Sequence, residues 1–468
     1  MTAAIPLTAG GITRLPPPKS IKMFDGLKGA FLLQPWYDWC AVRAIVNWYL
    51  PLSRAWAAAL ESQGDLAAFN ASLGTDFGES RRLRSALRNV NEAATAFVEN
   101  QTIWEERFFG PLAVSAEDLV ATETRRQDLS EKLMLQRKAF WPWRRHLPKM
   151  KWEVPSADEV ERRHGHRLRA RASAFEAPEQ PEFEISRRLQ GQSSNGANYQ
   201  QQWIRFPSPV AGDRAWAKLY EPVGASPDAP CVIFLHGVAM ETDWWGEVAD
   251  PVNKLTEQGF TVIRPEAPWH GHRRCEGWHG GENVIAHGPL GFLDLFHAWV
   301  TEIAVLIQWA RERGARSVAV GGLSLGALTA QTVAANAHGW PAERQPDSLL
   351  LVTTSEDMLA VTQHGSMARL LDVPKVMSSA GWSQAELARW MPLLEPHGNP
   401  VMAADRIVVQ LGQSDDLTPY EGGVSLVKRW GVPEQNVFHR RRQGHYSTTL
   451  GLYRDRSALD RLAAIIKG

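Results

Sequence analysis

The chain is poor in cysteine, with three in 468 residues. Cys40, Cys231 and Cys275 are too few and too scattered for a disulfide framework, so we expect a reducing compartment and a cytoplasmic protein. The chain also lacks an excess of charge, because 51 Lys and Arg residues balance 51 Asp and Glu residues. A neutral chain exerts no global attraction on nucleic acid, and no nucleic-acid partner is expected.

Targeting and membrane-spanning segments are not evident either. Residues 1–11 have neither the basic region nor the continuous apolar region of a secretory signal. The longest uncharged stretch, residues 317–342, reaches the length of a membrane span, but its glycines and polar residues belong to a turn and a helix. No transmembrane segment is therefore predicted. The length leaves room for two or three domains, each with its own core.

The most informative motif present is a G-x-S-x-G pentapeptide, Gly322-Leu323-Ser324-Leu325-Gly326. It follows the apolar run 317–320 and precedes the helix-forming stretch 327–331, an order that predicts strand, sharp turn and helix. In such a turn the glycines occupy positions that a side chain would obstruct, so the serine hydroxyl is held outward. The motif predicts Ser324 as a nucleophile, although a glycine-rich turn after a strand is also common without catalysis.

Other predicted strands end in residues that could complete this chemistry. The buried-strand candidate 231–235 ends in His236-Gly237-Val238, where an oxyanion loop is expected. The run 406–411 precedes Asp415, and the run 436–440 precedes His445. Asp415 alone fits a helix cap or turn, the neighbouring Asp416 could supply the carboxylate instead, and a lone histidine is ordinary in a loop.

Ser324, Asp415 and His445 each follow a predicted strand, in the order serine, acid, histidine. In this they resemble the α/β-hydrolase superfamily. The resemblance implies an α/β fold, with a mostly parallel sheet between helices, and no cofactor. It implies Ser324 as nucleophile, His445 as general base and Asp415 as orienting acid, which the spacing G-x-x-D-x-L-x-P favours over Asp416. It further implies the backbone N–H groups of Val238 and Leu325 as oxyanion donors.

The chain is predicted to divide near residues 176–200, which are rich in breakers and small polar residues. We expect an all-helical domain at 1–195 and the hydrolase domain, which the resemblance covers, at 196–468. In the helical part, Pro51 is expected to end a helix that starts near Tyr37. A second helix is predicted from Glu79 to Phe109, stopping at Gly110, and a third begins with Ser115 as its cap.

The second part is predicted to alternate strand and helix. An antiparallel pair at 199–206 and 214–220 precedes six further strands, which begin near Cys231, Thr261, Ser317, Ser348, Arg406 and Asn436. Helices near 251–258, 291–313, 325–337, 422–430 and 457–467 are expected to cover both faces. The stretch between Val352 and Arg406 is too long for a plain connection. It predicts a helical cap inserted at about 355–402, with Ser383 and Glu386 as a capping box.

A loop at residues 268–287 carries an unusual density of histidine and cysteine. The candidate ligands of a zinc site are His270, His272, Cys275 and His279. Their spacings match no closed zinc set, so no metal is predicted. In the superfamily this loop commonly carries D/E-x-P-x-x-G, matched here by Glu266, Pro268 and Gly271, and it borders the active site.

From the two loops after strands 231–235 and 261–265, four substrate-binding residues are predicted: His236, Gly237, Trp269 and His270. The loop and elbow also resemble the group around alpha/beta hydrolase domain-containing protein eighteen. That narrower likeness implies acyl-ester chemistry, with lipids among the candidate substrates.

The helical part contains a segment in which cations alternate with aromatic residues, from Arg137 to Trp152. Such a segment can sit at a membrane interface or stack on RNA. The interpretation that the sequence favours is an exposed helix end whose tryptophans pack against the hydrolase part. We expect the helical part to close over the pocket mouth, with its tryptophans lining the entrance.

These patterns predict a serine hydrolase that cleaves an ester, thioester or amide through an acyl-enzyme. Acyl transfer and C–C bond hydrolysis use the same machinery, and the sequence leaves them open. A non-catalytic binding protein that uses the basic-aromatic helical part is the alternative from another class, disfavoured by the three intact catalytic groups. The expected partner is a small or lipid-like acyl substrate. Peripheral membrane contact and oligomerisation stay open.

Overall fold

The computed structural model describes residue 15 and residues 32–193, 196–240, 252–452 and 454–468. Its first part is helical. The helices are α1 (Pro35–Ala44), α2 (Leu50–Glu61), α3 (Leu66–Leu73), α4 (Arg81–Phe109), α5 (Ala116–Leu135) and α6 (Ala157–Arg169). A π-helical segment, Ile45–Tyr49, joins α1 to α2, and a 3₁₀ helix, Gln136–Trp143, follows α5.

The predicted cap at Ser115 is confirmed, and Ser80 is a second serine cap that the sequence analysis did not name. The Ser80 hydroxyl accepts a hydrogen bond from the Leu83 N–H, and the Ser115 hydroxyl accepts one from the Asp118 N–H, each over 3.1 Å. The prediction that Pro51 ends the first helix is wrong, because α2 runs on to Glu61. Pro51 is the second residue of α2 and directly follows the π-helical segment and Leu50.

The described residues contain one ten-stranded sheet in the order β1-β3-β4-β6-β5-β7-β8-β9-β10, with β2 also beside β3. The strands are β1 (Glu184–Ile185), β2 (Leu189–Gln192), β3 (Asn198–Pro207), β4 (Arg214–Pro222), β5 (Cys231–Leu235), β6 (Thr261–Pro265), β7 (Val318–Leu323), β8 (Ser348–Val352), β9 (Ile407–Gly412) and β10 (Val437–Arg440). The part from β6 to β10 is parallel, and the rest is antiparallel. The predicted antiparallel pair and all six later strands are confirmed.

The predicted linker at 176–200 is wrong for residues 184–192, because β1 and β2 both pair with β3 and so belong to the sheet. Their polar composition resembles that of a loop, but it suits strands at the sheet margin, where side chains meet water. The boundary predicted at residue 195 lies outside the described residues, and the division into two domains stays a prediction.

Helices cover both faces of the sheet. They are α7 (Val252–Glu257), α8 (Glu282–Ala286), α9 (Gly288–Glu312), α10 (Leu325–Asn336), α11 (Met358–His364), α12 (Ser366–Leu370), α13 (Val373–Ser379), α14 (Gln384–Trp390), α15 (Tyr420–Trp430), α16 (His445–Gly451) and α17 (Ser457–Lys467). Alternate residues of β5 face opposite sides. Ile233 and Leu235 belong to the core with α9 and α10, whereas Val232 and Phe234 belong to the core with α7 and α17.

Helix α9 is the one described helix that is long and apolar enough to cross a membrane. Within its most apolar window, 83% of the residues are buried inside the protein, as expected for the core helix of an α/β fold.

Four of these helices, α11 to α14, occupy the predicted insertion at about 355–402. The predicted capping box at the start of α14 is confirmed, since Ser383 and Glu386 exchange hydrogen bonds with each other's backbone N–H. The first part of the chain also touches this insertion, because the Trp382 indole N–H donates to the Pro155 carbonyl over 2.8 Å.

Elsewhere the helical part packs directly on the antiparallel end of the sheet. Trp104 of α4 is fully buried, and its ring centroid lies 6.0 Å from that of Trp203 in β3 and 6.3 Å from that of Trp216 in β4. The two parts of the chain therefore share an apolar interface.

Candidate active site

Ser324 lies at the tip of a strained turn between β7 and α10. Its φ of 53° and ψ of −121° are values that a non-glycine residue rarely adopts. The flanking glycines are required by space. A Cβ at Gly322 would approach the Gly326 carbonyl carbon to 2.5 Å, and a Cβ at Gly326 would collide with the Leu235 carbonyl. The prediction that side chains would obstruct this turn is confirmed.

Three side chains form one continuous hydrogen-bonded chain. The Ser324 hydroxyl lies 2.9 Å from Nε2 of His445, and Nδ1 of the same ring lies 2.9 Å from Oδ2 of Asp415. With the proton on Nδ1, the ring donates to the carboxylate and offers Nε2 as an acceptor for the serine proton. The structure thus brings together residues separated by up to 121 positions in sequence.

The carboxylate of Asp415 is held by its own turn. Oδ1 accepts hydrogen bonds from the N–H groups of Leu417 and Thr418 over 3.0 Å each, and the Thr418 hydroxyl lies 2.9 Å from Oδ2. Asp416 is different, because its side chain is 66% exposed and pairs with Arg369. Of the two acids left open by the sequence, Asp415 is the one beside His445. Thr418 is a supporting residue that the sequence analysis missed.

The surroundings of His445 favour its protonated form. Burial by itself lowers the pKa of this imidazole, but the charge and hydrogen bond of Asp415 outweigh burial, and Asp38 and Asp416 add to them. The net result is that the pKa of His445 lies above its ordinary value of 6.5. A base of raised pKa accepts a proton from serine more readily, provided that the pH is high enough to keep it neutral.

The predicted oxyanion loop lies next to Ser324 because β5 and β7 are neighbours, with Leu235 opposite Gly322. Gly237 packs so closely that a Cβ there would lie 3.5 Å from the Cβ of Ser324. Val238 and Leu325 line a cavity together with Ser324. Leu325 is the first residue of α10, so its N–H has no acceptor within the helix.

The four predicted substrate-binding residues differ in whether they line a cavity at Ser324. Gly237 lines one of the two cavities that include Ser324. His236, Trp269 and His270 line neither of them. The prediction that these three contact substrate is therefore not supported by the described residues. His236 accepts from the Ala267 N–H over 3.0 Å.

Instead, the two histidines join the predicted oxyanion loop to the loop after β6, each by one backbone hydrogen bond. His270 accepts from the Ala239 N–H over 3.1 Å, which fixes the backbone just beyond Val238. Burial lowers the pKa of His236 well below its ordinary value and lowers that of His270 to about 4. Both rings are therefore neutral at physiological pH and can accept these backbone hydrogen bonds.

The histidine-rich loop spreads its side chains rather than converging them. His272 lies 3.0 Å from a Glu266 oxygen and stacks on Trp216, whereas His279 lies 3.6 Å from Glu282. Cys275 is half-buried, and burial raises the pKa of its thiol. Within the described part of the chain, no group of three or more His, Cys, Asp or Glu side chains is arranged to hold a metal ion.

Two apolar cavities meet at Ser324. The larger, of about 740 Å³, lies between the helical part and the hydrolase part and includes Ser324 and His445. As predicted, tryptophans of the helical part line it, namely Trp48 and Trp141. The smaller, of about 110 Å³, lies under the inserted helices and is lined by apolar residues such as Leu328, Met377 and Leu387.

Comparison with known proteins identifies this architecture. The model of the alpha/beta hydrolase family matches residues 232–456, a segment that contains Ser324, Asp415 and His445. The part of the chain that contains Ser324 has the α/β-hydrolase fold. Among curated proteins, no sequence matches the chain. The narrower resemblance to the group of domain-containing protein eighteen finds no support in these comparisons.

Solved structures of esterases are similar to parts of this chain. An acetyl xylan esterase from Paenibacillus sp. R4 is 13% identical, with a TM-score of 0.47 over 67% of this chain and 96% of that one. A hyperthermophilic esterase from Pyrobaculum calidifontis is 16% identical, with a TM-score of 0.38 over 67% of this chain and 93% of that one. At these values the likenesses carry no argument about substrate.

The helical part also contacts the segment that carries His445. The carboxylate of Asp38, in α1, accepts hydrogen bonds from the N–H groups of Gly444, Tyr446 and Ser447 over 3.1, 2.6 and 3.0 Å, and from the Ser447 hydroxyl. Asp38 thus caps α16, whose first residue is His445. Sequence reasoning missed this residue, because it lies about four hundred positions away and carries no motif.

Proposed function

We propose that this protein is a serine hydrolase that cleaves an ester, thioester or amide bond in a substrate with large apolar parts. The observation that carries the proposal is the unbroken hydrogen-bonded chain from Ser324 through His445 to Asp415, with both links at 2.9 Å, at the meeting point of two apolar cavities.

In the proposed reaction, the Ser324 oxygen attacks the carbonyl carbon while its proton passes to Nε2 of His445. The carbonyl oxygen becomes an oxyanion, which the N–H groups of Val238 and Leu325 would stabilise. The tetrahedral intermediate collapses, the imidazolium gives its proton to the leaving group, and an acyl-enzyme remains. Water then attacks the acyl carbon, with His445 again accepting the proton, and the carboxylic acid leaves.

The cavities support a substrate with apolar groups on both sides of the scissile bond. A cavity of about 110 Å³ has room for a short apolar group, and one of about 740 Å³ has room for a much larger one. Apolar walls bring burial energy but few hydrogen bonds, so we expect selection by size and hydrophobicity rather than by polar contacts.

Asp38 is assigned a positioning role in this proposal. Its carboxylate accepts from three N–H groups at the start of α16. Those of Tyr446 and Ser447 lie in the first turn, where N–H groups have no backbone acceptor within the helix, and that of Gly444 also donates to the Ser447 hydroxyl. Because His445 is the first residue of that helix, the cap also fixes the imidazole. The helical part would then contribute to catalysis and not only to the cavity wall.

Acyl transfer and C–C bond hydrolysis remain alternatives on the same residues. The apolar lining of the cavity at Ser324 would accommodate an apolar alcohol or thiol as a second substrate in place of water, and this feature keeps acyl transfer open. The strained backbone conformation of Ser324 disfavours a non-catalytic binding protein, because binding alone does not require a serine in that conformation. A cytoplasmic location and lipid-like acyl chemistry remain part of the proposal.

The test is labelling by a fluorophosphonate probe, followed by a p-nitrophenyl ester panel from acetate to palmitate. The Ser324→Ala variant is expected to lose all labelling, and His445→Ala to lower turnover by about four orders of magnitude or more while the fold is retained by circular dichroism. Asp415→Asn should cost far more activity than Asp416→Asn. Full labelling of Ser324→Ala would refute the proposal.

A further inference from the structure

Four tryptophan side chains are exposed on the segments that border the larger cavity. Trp36, Trp39, Trp48 and Trp141 expose 43%, 58%, 50% and 43% of their surface. Tryptophan is usually well buried, and a group of exposed large apolar side chains on a soluble fold marks an interaction surface. The first three lie on α1 and the π-helical segment, and the fourth lies on the 3₁₀ helix Gln136–Trp143.

These rings connect the outer surface to the cavity. The rings of Trp48 and Trp141 lie 5.6 Å apart by their centroids, and both residues line the cavity that includes Ser324. Neither Trp36 nor Trp39 is among the lining residues. The α1 segment therefore has one side toward the cavity and another side, with two tryptophans, toward solvent.

Cations accompany the rings. The Arg43 guanidinium lies 3.8 Å from the centroid of the Trp39 ring, and that of Arg144 lies 4.4 Å from the Trp141 ring. Lys138 and Arg145 are exposed on the same 3₁₀ segment and just after it. Residues 136–149 contain no acidic residue, and the one acid in residues 35–49, Asp38, is occupied by the backbone of α16.

We infer that this surface docks on an anionic lipid bilayer. We call it the tryptophan face, and its residues are Trp36, Trp39, Trp48 and Trp141 with Arg43, Lys138, Arg144 and Arg145. Tryptophan rings prefer the headgroup level of a bilayer, and basic side chains are attracted to anionic headgroups. Each cation near such a surface raises the partition coefficient about fivefold. The apolar cavity behind the face gives a lipid-like molecule a dry path toward Ser324.

The experiment measures co-sedimentation of the full-length Ser324→Ala protein with vesicles, so that no lipid is consumed. Vesicles of phosphatidylcholine that contain about 30 mol% phosphatidylserine are compared with vesicles of pure phosphatidylcholine. We expect binding to the anionic vesicles to be at least about tenfold tighter. A comparable loss of that binding is expected in about 0.5 M salt, roughly three times the physiological concentration.

The double variant Trp36→Ser/Trp39→Ser is expected to weaken vesicle binding by about tenfold or more, and Lys138→Gln/Arg145→Gln by about twentyfold. The matched control is Leu112→Ser, since Leu112 is 77% exposed on a different segment. It should bind like the parent. In the wild-type background, Trp36→Ser/Trp39→Ser should hydrolyse a soluble ester at the parent rate.

Equal binding to both vesicle types, or an equal effect of Leu112→Ser and the tryptophan variant, would overturn the inference. So would tight binding of a single-stranded RNA oligomer that the tryptophan variant loses, or a doubled mass in solution that the same variant reverses. The result is independent of the proposed hydrolase activity, because binding is measured without Ser324.

Discussion

Replacing Asp38 by alanine tests whether the helical part participates in catalysis. The substitution removes an acceptor shared by three backbone N–H groups and one hydroxyl at the start of α16. A hydrogen bond to a charged group contributes about 1.5–3 kcal/mol, and loss of a helix cap costs about 1 kcal/mol. Asp38 is half-buried, so water replaces part of these contacts.

We therefore expect the start of α16 to lose about 1.5–3 kcal/mol of local stability, not the sum over four bonds. If His445 must be ordered in the transition state, this loss appears as a decrease of about 10-fold to 100-fold in kcat. KM should change little, because Asp38 does not line either cavity at Ser324. The assay is steady-state hydrolysis of p-nitrophenyl acetate and p-nitrophenyl octanoate, with an equal fractional loss expected on both.

The pH profile separates an electrostatic role from a purely structural one. The charge of Asp38 is one of the contributions that raise the pKa of His445. Hydrolysis needs neutral His445 and is lost as the pH falls through that pKa. Removing Asp38 lowers the pKa, so the acid limb of kcat/KM should move to lower pH in Asp38→Ala, and Asp38→Glu should restore part of kcat.

Asp65→Ala is the matched control, since Asp65 caps α3 in the same helical part through the Ala68 N–H. It should lower stability by about 1 kcal/mol and leave kcat and the pH profile unchanged. Wild-type kcat for Asp38→Ala would refute the positioning role. A loss restricted to the longer ester would instead mean that the residue shapes the cavity.

The remaining predictions concern the base, the elbow and metal ions. For the wild-type protein, kcat/KM should fall on the acid side with an apparent pKa above the ordinary 6.5 of histidine, because Asp415 outweighs burial; a midpoint well below that value would contradict the geometry. Gly326→Ala should lose probe labelling or fold poorly, because its Cβ meets the Leu235 carbonyl, whereas Gly339→Ala has open space and should behave as wild type. Exhaustive EDTA treatment should leave activity intact, since serine chemistry needs no cation; a loss reversed by zinc would show that a metal participates.

The sequence alone determined the features that depend on local chemistry. The glycines around Ser324, the caps at Ser115 and Ser383, and the buried-strand runs each impose a conformation on their own few residues. The elbow, two helix starts and eight strands could therefore be predicted. The order serine, acid, histidine after successive strands then predicted three side chains at one edge of the sheet.

Tertiary structure decided the rest. Asp415 rather than Asp416 faces His445 because the turn after β9 holds one carboxylate inward and leaves the other to Arg369. His236 and His270 join the loops after β5 and β6 by accepting backbone hydrogen bonds, which they can do because burial lowers the pKa of each ring and keeps it neutral. Asp38 reaches the histidine helix from the far end of the chain, and no local pattern encodes such a contact, since it depends on how two separately patterned regions pack against each other.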